Sequence, residues 1–220
     1  MTDHPVATTL MGLKVPPSPF LHETRVARIA SGDYEGDEIK GALAVVRPGD
    51  RVLELGAGPG VVGSVTALNA RPAKVMSFEA NPALIPHIRA MHVENGLEDV
   101  IELRNEVLIS AADRPESMTF HVTNSFLGSS LIEKEARQTT PVEVATADYH
   151  AVAETFRPNV LLMDIEGGEL EFLKHADLRG LRAVVIEFHP SVYGKSGAQT
   201  CKNILRAAGI PPAEDRMKKS

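Results

Sequence analysis

The chain has 220 residues, of which 43% are apolar and 24% are charged, and it carries a formal net charge of −6. This length and this supply of apolar side chains are typical of one soluble domain with a single sizeable core. A protein whose main partner is nucleic acid is expected to present a basic face, and the acidic balance argues against that class.

Cysteine content and hydropathy argue against two further classes. Cys201 is the only cysteine, so the chain can form neither an intrachain disulfide nor a thiolate metal cluster. The proline-rich start has no basic stretch followed by an apolar one, and no apolar run reaches about 18 residues. We therefore expect a cytoplasmic protein without a secretion signal or a membrane partner.

The sequence divides into a short N-terminal segment and one larger domain. Residues 1–33 predict an arm or flap that contains a helix over 21–30. The domain spans residues 34–220 and opens with a helix over 35–46, in which apolar side chains recur at helical spacing.

Strands and helices then alternate along the domain. Five short strands are apolar throughout, as in parallel strands covered on both faces; they are predicted at 51–55, 74–79, 99–103, 159–164 and 183–188. Helices are predicted at 60–69, 82–95 and 168–176. This order predicts an α/β fold with a doubly wound, mostly parallel sheet and helices on both faces.

Residues 105–158 interrupt this alternation. They contain two candidate strands, at 118–122 and 142–145, around a polar loop at 124–130. Such an insertion lies beside the carboxyl edge of the sheet, where ligands of open α/β sheets bind. We expect it on the substrate side, where Asn124, Ser129 and Ser130 contact the substrate or the donor, or else belong to a plain surface loop.

A glycine-rich turn, Glu54-Leu55-Gly56-Ala57-Gly58-Pro59-Gly60, follows the first strand of the domain and opens a helix. Glycine has no Cβ, so the backbone of this turn can approach a ligand closely. Glu79 ends the next strand, where a carboxylate can accept hydrogen bonds from both hydroxyls of a ribose. Cofactor contacts are expected from Glu54, Gly56, Ala57, Gly58, Gly60, Glu79, Ala80, Asn81 and Asp164.

The turn alone leaves the identity of the cofactor open. Residues 58–63 satisfy the GxGxxG pattern of nicotinamide enzymes, and a glycine turn without a ligand is a third interpretation. Glu54 favours a methyl donor, because it can hold a cationic amino acid group directly or through water. We expect the adenine near Asn95, Asn105 and Glu106.

Seven segments carry a resemblance to a known family: YEGDEI at 34–39, VLELGAGPG at 52–60, FEANP at 78–82, NSFLGSS at 124–130, ATADYH at 145–150, LLMDIEGGELEFL at 161–173 and VVIEFHP at 184–190. Together they resemble the FkbM family of S-adenosylmethionine-dependent methyltransferases, and DIEGGE and IEFHP are the most distinctive of them. The resemblance implies the class I methyltransferase fold, S-adenosylmethionine as cofactor, and methyl transfer, usually to oxygen, on small molecules or sugars.

Two features depart from the family pattern. Glu54 stands where many relatives have Asp, and only eleven residues, mostly polar or charged, follow Gly209, where the usual fold continues into an antiparallel hairpin. We expect that hairpin to be shortened or absent, which leaves the strand at 183–188 as an exposed edge. Because exposed edges are normally covered, we expect the N-terminal arm or a partner subunit, as in a homodimer, to cover it.

Four titratable residues gather at the ends of the fourth and fifth strands: Asp164, Glu166, Glu187 and His189. His189 is the candidate general base, because its unperturbed pKa is near neutral, and Asp164 or Glu187 would orient it; a purely structural strand cap is the alternative. A divalent metal on Asp164, Glu187 and His189 is an option that the spacing does not favour. Glu166 is a candidate substrate contact.

The favoured function is O-methylation of a small molecule with S-adenosylmethionine. A NAD(P)-dependent oxidoreductase and a non-catalytic cofactor-binding subunit stay open as alternatives. Glu169 and Glu171, at the start of the helix after Glu166, are expected to be partly solvated and favoured by the helix dipole.

Overall fold

The computed structural model describes residues 5–123 and 139–212. In chain order its elements are β1 (Thr8–Leu10), β2 (Leu13–Val15), α1 (Glu23–Ser31), α2 (Gly36–Val45), β3 (Arg51–Leu55), α3 (Val61–Ala70), β4 (Lys74–Phe78), α4 (Ile85–Glu94), β5 (Ile101–Arg104), β6 (Val107–Ile109), β7 (Ser117–Thr123), β8 (Thr139–Asp148), α5 (Tyr149–Phe156), β9 (Val160–Met163), α6 (Glu169–His175), β10 (Ala183–Ile186) and α7 (Pro190–Ala207).

A five-stranded sheet with the order β10-β9-β3-β4-β5 forms the centre of the fold. All four pairings in it are parallel. The chain starts in the middle at β3, moves outward to β5 and then crosses back to β9 and β10. The order therefore reverses between β3 and β9, which is the place where open α/β sheets bind their ligands. The predicted doubly wound parallel sheet is confirmed.

The sheet is covered on both faces because alternate residues of its strands point to opposite sides. Leu53 and Leu161 belong to one buried cluster, which includes side chains of α5, α6 and α7. Val52 and Val160 belong to a second cluster, which includes side chains of α2, α3 and α4. Two apolar layers thus hold the strands rigidly, so their carboxyl ends form a fixed edge.

The opposite edge of the sheet is fastened by polar groups. The buried Asp50, just before β3, accepts hydrogen bonds from the Arg47 backbone N–H at 2.6 Å and from Asn159 Nδ2 at 2.9 Å, and it forms an ion pair with Arg182. The Asn159 side chain also accepts from the Arg51 backbone N–H at 2.9 Å. These contacts join the starts of β3, β9 and β10.

The insertion forms a small sheet of its own with the order β6-β8-β7. β7 and β8 pair antiparallel, and β6 pairs parallel with β8. The Asp148 side chain caps α5 by accepting from the backbone N–H groups of His150 and Ala151 at 2.7 and 3.4 Å. Both candidate strands of the insertion are therefore present and are longer than expected.

The N-terminal segment folds back as a hairpin that the sequence did not reveal. β1 and β2 pair antiparallel, and Leu13 and Val15 are buried in the cluster that contains Val52. The Asn95 side chain both accepts from the Lys14 backbone N–H at 2.8 Å and donates to the Lys14 carbonyl at 2.7 Å. Asn95 therefore fastens this hairpin, and the expectation that it lies near the adenine is wrong.

The exposed edge of the sheet is β10, as predicted, since no further strand pairs with it within the described residues. The hairpin contacts α1, α3 and α4. Cover of β10 by the N-terminal arm or by a partner subunit stays a prediction. None of the described helices is both long and apolar enough to cross a lipid bilayer.

Candidate functional site

A cavity of about 450 Å³ opens at the carboxyl ends of β3, β4 and β9. Its volume lies within the range of roughly 300–1,000 Å³ that is typical of small-molecule sites. The glycine turn after β3 lines it together with Glu79 after β4 and Asp164 after β9, and Met118 and Phe120 of β7 line it from the insertion. The cavity therefore joins the predicted cofactor end to the predicted reacting end.

Position 56 requires glycine because two backbone segments approach each other closely there. Its φ is +81°, and a Cβ at this position would lie 1.7 Å from the carbonyl oxygen of Asp164. Its N–H and that of Ala57 each donate to the Phe78 carbonyl at 3.0 Å, while the Asp164 N–H donates to the Leu55 carbonyl at 3.0 Å. No side chain fits between these segments, so the turn is held against the ends of both neighbouring strands.

Glu79 lies under the glycine turn, where its carboxylate holds two backbone groups. Oε2 accepts from the Gly58 N–H at 2.7 Å and Oε1 from the Asn81 N–H at 2.6 Å. Burial raises the pKa of this carboxyl to about 7. Asn105 does not line the cavity; its amide donates to the carbonyls of Glu79 and Ala80 at 2.8 and 3.1 Å, so it positions this loop.

Glu54 also lines the cavity, but its side chain is tied to the protein. It accepts a hydrogen bond from the Ser77 hydroxyl, and a Cβ on Gly63 would lie 2.3 Å from its Oε2. Burial raises the pKa of this carboxyl to about 7. Its carboxylate therefore helps to fix the first turn of α3 against β4.

His189 lies between three acidic side chains at the other end of the cavity. Its Nε2 is 3.7 Å from Asp164 Oδ1 and 3.9 Å from Glu166 Oε2, and its Nδ1 is 3.0 Å from Glu169 Oε1. The Nδ1 hydrogen bond is the one to Glu169, a partner that the sequence did not suggest; a role of Asp164 or Glu187 in orienting the ring stays a prediction. The contact forms because α6 directs Glu169 back under the loop that follows β9.

The environment of Glu169 differs from the one expected from the sequence. Its side chain is fully buried, whereas a partly solvated helix start was expected. Oε1 also accepts from the N–H groups of Ile165 and Gly167 at 3.3 and 3.1 Å. Although burial alone would raise its pKa, the hydrogen bonds from His189 and Gly167 hold the pKa of this carboxyl below its usual value.

The protonation of His189 follows from this contact. The hydrogen bond to Glu169 raises the pKa of the ring from 6.5 to about 9, so the ring carries a positive charge at neutral pH. A protonated imidazole donates protons and does not accept them, which argues against His189 as general base in this arrangement. Burial, and next the charge of Glu187, raise the pKa of Asp164 to about 7.

The N-terminus of α2 supplies a further wall of the cavity, which was not expected from the sequence. Tyr34, Glu35 and Glu38 line the cavity, and Glu35 has a φ of +48°, which is rare for a residue with a side chain. Burial, followed by the charges of Glu38 and Glu187, raises the pKa of Glu35 to about 7. In the sequence, only the YEGDEI segment at 34–39, through its resemblance to the family, indicated that these residues could belong to the site.

Acidic side chains dominate the polar lining of the cavity. Its described lining contains no Lys, Arg or His, but contains the carboxyl groups of Glu35, Glu38, Glu54, Glu79, Glu106, Asp164, Glu166 and Glu171. Two sets of three side chains bring their ligand atoms within 4.8 Å of one another: Asp164, Glu187 and His189, and also Glu35, Glu38 and Glu187. The site is therefore built to receive positive charge.

The predicted site residues fall into three groups. Those that line the cavity are Glu54, Gly56, Ala57, Gly58, Glu79, Ala80, Asn81, Glu106, Asp164 and Glu166. Four more lie next to the cavity: Gly60, Asn105, Glu187 and His189. Gly60 lies at the start of α3, where a Cβ would lie 2.7 Å from the Ile88 side chain. Asn124, Ser129 and Ser130 lie outside the described residues.

Residues 54–209 match the family model described as the methyltransferase FkbM domain. The chain belongs to the FkbM methyltransferase domain family. The match begins at Glu54, near the end of β3, and extends past α7, so it contains the glycine turn, β9, β10 and most of the residues that line the cavity. The predicted family is thereby confirmed. No curated protein matches the chain.

Several solved structures are similar to this chain at low sequence identity. They include P. horikoshii TYW2 in complex with MeSAdo (17% identity, TM-score 0.45, covering 79% of this chain and 52% of that one). A second is a protein in the NADB-Rossmann superfamily from Streptococcus agalactiae (11% identity, TM-score 0.47, covering 78% of this chain and 57% of that one). A third is precorrin-6y C5,15-methyltransferase from Geobacter metallireducens (12% identity, TM-score 0.44, covering 80% of this chain and 70% of that one). The FkbM chain spans little more than half the length of the first two.

The His189–Glu169 contact predicts an unusual titration. In chelator-treated protein the His189 ring, followed by NMR, titrates near pH 9. Because its folded pKa is raised, the stability that its protonation contributes is complete below pH 6.5 and is lost as the pH rises through about 9. Glu169→Gln moves the titration down, whereas Glu171→Gln, on the exposed side of the same helix, leaves it unchanged. A His189 titration that is the same in Glu169→Gln as in the wild type would contradict the assignment.

Proposed function

We propose that this protein uses S-adenosylmethionine to methylate a hydroxyl group of a small molecule. The observation that carries the proposal is that one cavity joins the glycine turn and Glu79 to Asp164 and Glu166. The first pair fits a nucleoside, and the second lies where an acceptor's proton has to be removed. Family membership favours a methyl donor over a nicotinamide.

The donor end is formed by groups that are already held in place. Gly58 and Asn81 keep the Glu79 carboxylate fixed from two sides, and each of its oxygens retains a lone pair for a ribose hydroxyl. The backbone at Gly56 and Ala57 lies open to the cavity, so the amino acid part of the donor can pass close to it. A sulfonium carries positive charge, and the carboxylate lining attracts it.

At the acceptor end, the site has to remove one proton from the acceptor hydroxyl. Methyl transfer from a sulfonium is an in-line displacement in which the acceptor oxygen forms a bond to the methyl carbon as the carbon–sulfur bond breaks, and the acceptor's proton leaves. We assign this proton to the carboxylates Asp164 and Glu166, both of which line the cavity. His189, protonated and 3.7 and 3.9 Å from them, keeps both carboxylates in position.

Donor binding is tested by titration calorimetry with S-adenosylhomocysteine and with NAD. We expect the protein to bind S-adenosylhomocysteine and to show no comparable affinity for NAD. Glu79→Ala is expected to weaken binding roughly tenfold or more, because it removes charged acceptors from the ribose. Glu98→Gln, an exposed acid outside the cavity, serves as the matched control. Preference for NAD would refute the proposal.

Turnover is tested with a donor that carries an isotopically labelled methyl group and with a panel of hydroxyl, carboxyl and amine acceptors. We expect label on a hydroxyl oxygen. Asp164→Asn should lower kcat by roughly a hundredfold or more, the typical effect of losing a general base. The variant's affinity for S-adenosylhomocysteine shows whether donor binding is retained. Label found on nitrogen alone, or full turnover in Asp164→Asn, would contradict the assignment.

A further inference from the structure

Three potential metal ligands come from two neighbouring parallel strands. Asp164 follows β9, and Glu187 and His189 follow β10, where Met163 and Ile186 are paired in register. Their ligand atoms all lie within 4.8 Å of one another. Two carboxylates and one imidazole on a rigid sheet edge form a mixed oxygen and nitrogen set, which suits a divalent ion such as Mn²⁺.

The histidine of this set is held as metal-binding histidines usually are. Such residues donate one ring N–H to a carboxylate, which fixes the tautomer and directs the other nitrogen at the metal. Here Nδ1 lies 3.0 Å from the fully buried Glu169 carboxylate, and Nε2 faces Asp164 Oδ1 at 3.7 Å. Glu169 is itself fixed by the backbone N–H groups of Ile165 and Gly167.

Asp164 contributes the second observation. Its Oδ1 atom is buried and has no hydrogen-bond partner among the described residues. A buried carboxylate oxygen without a donor costs free energy, and a cation in front of it would remove that cost. The Nε2 atom of His189 lies 3.7 Å from it, and a metal ion would bind this nitrogen in place of a proton.

Apart from the neighbouring His189, which is itself one of the proposed ligands, the described lining of the cavity supplies no protein cation that could do the same. Glu35 and Glu38 bring their ligand atoms within 4.8 Å of those of Glu187, so a second acidic set adjoins the first. Lys, Arg and His are all missing from the described residues that line the cavity. A positively charged methyl donor would neutralise part of the negative charge on these carboxylates. The negative charge that remains can bind a second cation.

We propose that Asp164, Glu187 and His189 form a binding site for one divalent metal ion at the acceptor end of the cavity. The ion binds through Asp164 Oδ1, a Glu187 oxygen and His189 Nε2, with Glu169 as the carboxylate behind the histidine. Its role rests on the proposed function: the ion would hold the acceptor's oxygen next to the methyl group. With the ion bound, Asp164 and the deprotonated Nε2 of His189 act as ligands, so the acceptor's proton passes to Glu166, the other of the two carboxylates assigned to it. Binding of the ion itself does not depend on that function.

The test measures Mn²⁺ binding to the full chain by calorimetry and by electron paramagnetic resonance, without donor or acceptor. We expect one Mn²⁺ per chain. Glu187→Gln and His189→Gln should each weaken binding at least tenfold, since each removes a ligand, and Glu169→Gln should weaken it by roughly 10–100-fold through the histidine. The matched control is Glu171→Gln, which removes a carboxylate from the cavity wall outside the ligand set and should bind Mn²⁺ as the wild type does.

Thermal unfolding in chelator establishes that each variant is folded. Glu187 is exposed, so Glu187→Gln decides the question even if His189→Gln does not fold. The inference is overturned if the wild type binds no Mn²⁺, or if Glu187→Gln binds it with unchanged affinity. S-adenosylhomocysteine binding in chelator is measured in parallel, so that loss of the metal site and failure of the methyl-donor proposal give different results.

Discussion

The close approach of the Gly56 backbone to the Asp164 carbonyl is the constraint on which the site depends. It brings the turn after β3 directly against the end of β9, with 1.7 Å between a hypothetical Cβ on Gly56 and that carbonyl oxygen. The N–H groups of Gly56 and Ala57 tie the same turn to the end of β4. Three strand ends are thereby joined at one point, and the donor end and the acceptor end of the cavity meet there.

The chemistry of the site follows from the burial of acidic side chains at this edge and from the unequal hydrogen bonding of their oxygen atoms. Glu79 and Glu169 each receive two backbone N–H groups. Asp164 Oδ1 and Glu169 Oε2 are both buried without a hydrogen-bond partner among the described residues, but only Asp164 lines the cavity, where it faces the imidazole of His189. Glu79 and Glu169 are fixed in place by backbone groups, whereas Asp164 can bind a proton or a cation that enters the cavity. This difference separates the positioning residues from those assigned to the reaction.

The sequence allowed the central fold and the donor end to be predicted for a physical reason. Parallel strands buried on both faces are apolar at nearly every position, and a glycine turn with positive φ excludes most other residues. The hairpin β1–β2 could not be predicted, because its strands have only three residues each, too few to show the alternation of apolar and polar residues that marks a strand. Its burial depends on contacts with α3 and α4 that lie far away in the chain.

The acceptor end was less predictable because its properties arise between distant segments. The pKa of His189 is set by Glu169, twenty residues earlier, and a glutamate at a helix start gives no sign in the sequence that it is buried. Glu35 and Glu38 reach the cavity because α2 packs on β10. The choice of Asp164 or Glu187 as partner of His189 followed strand order, whereas the loop after β9 and the start of α6 decide the contact.

A crystal structure of the protein with S-adenosylhomocysteine would show most directly whether one cavity joins the donor to Asp164. We expect the ribose hydroxyls to bind Glu79, the amino acid part to lie along Gly56 and Ala57, and the sulfur to point toward Asp164. A ligand bound outside this cavity, or one in it without contact to Glu79 and with its sulfur directed away from Asp164, would contradict this arrangement.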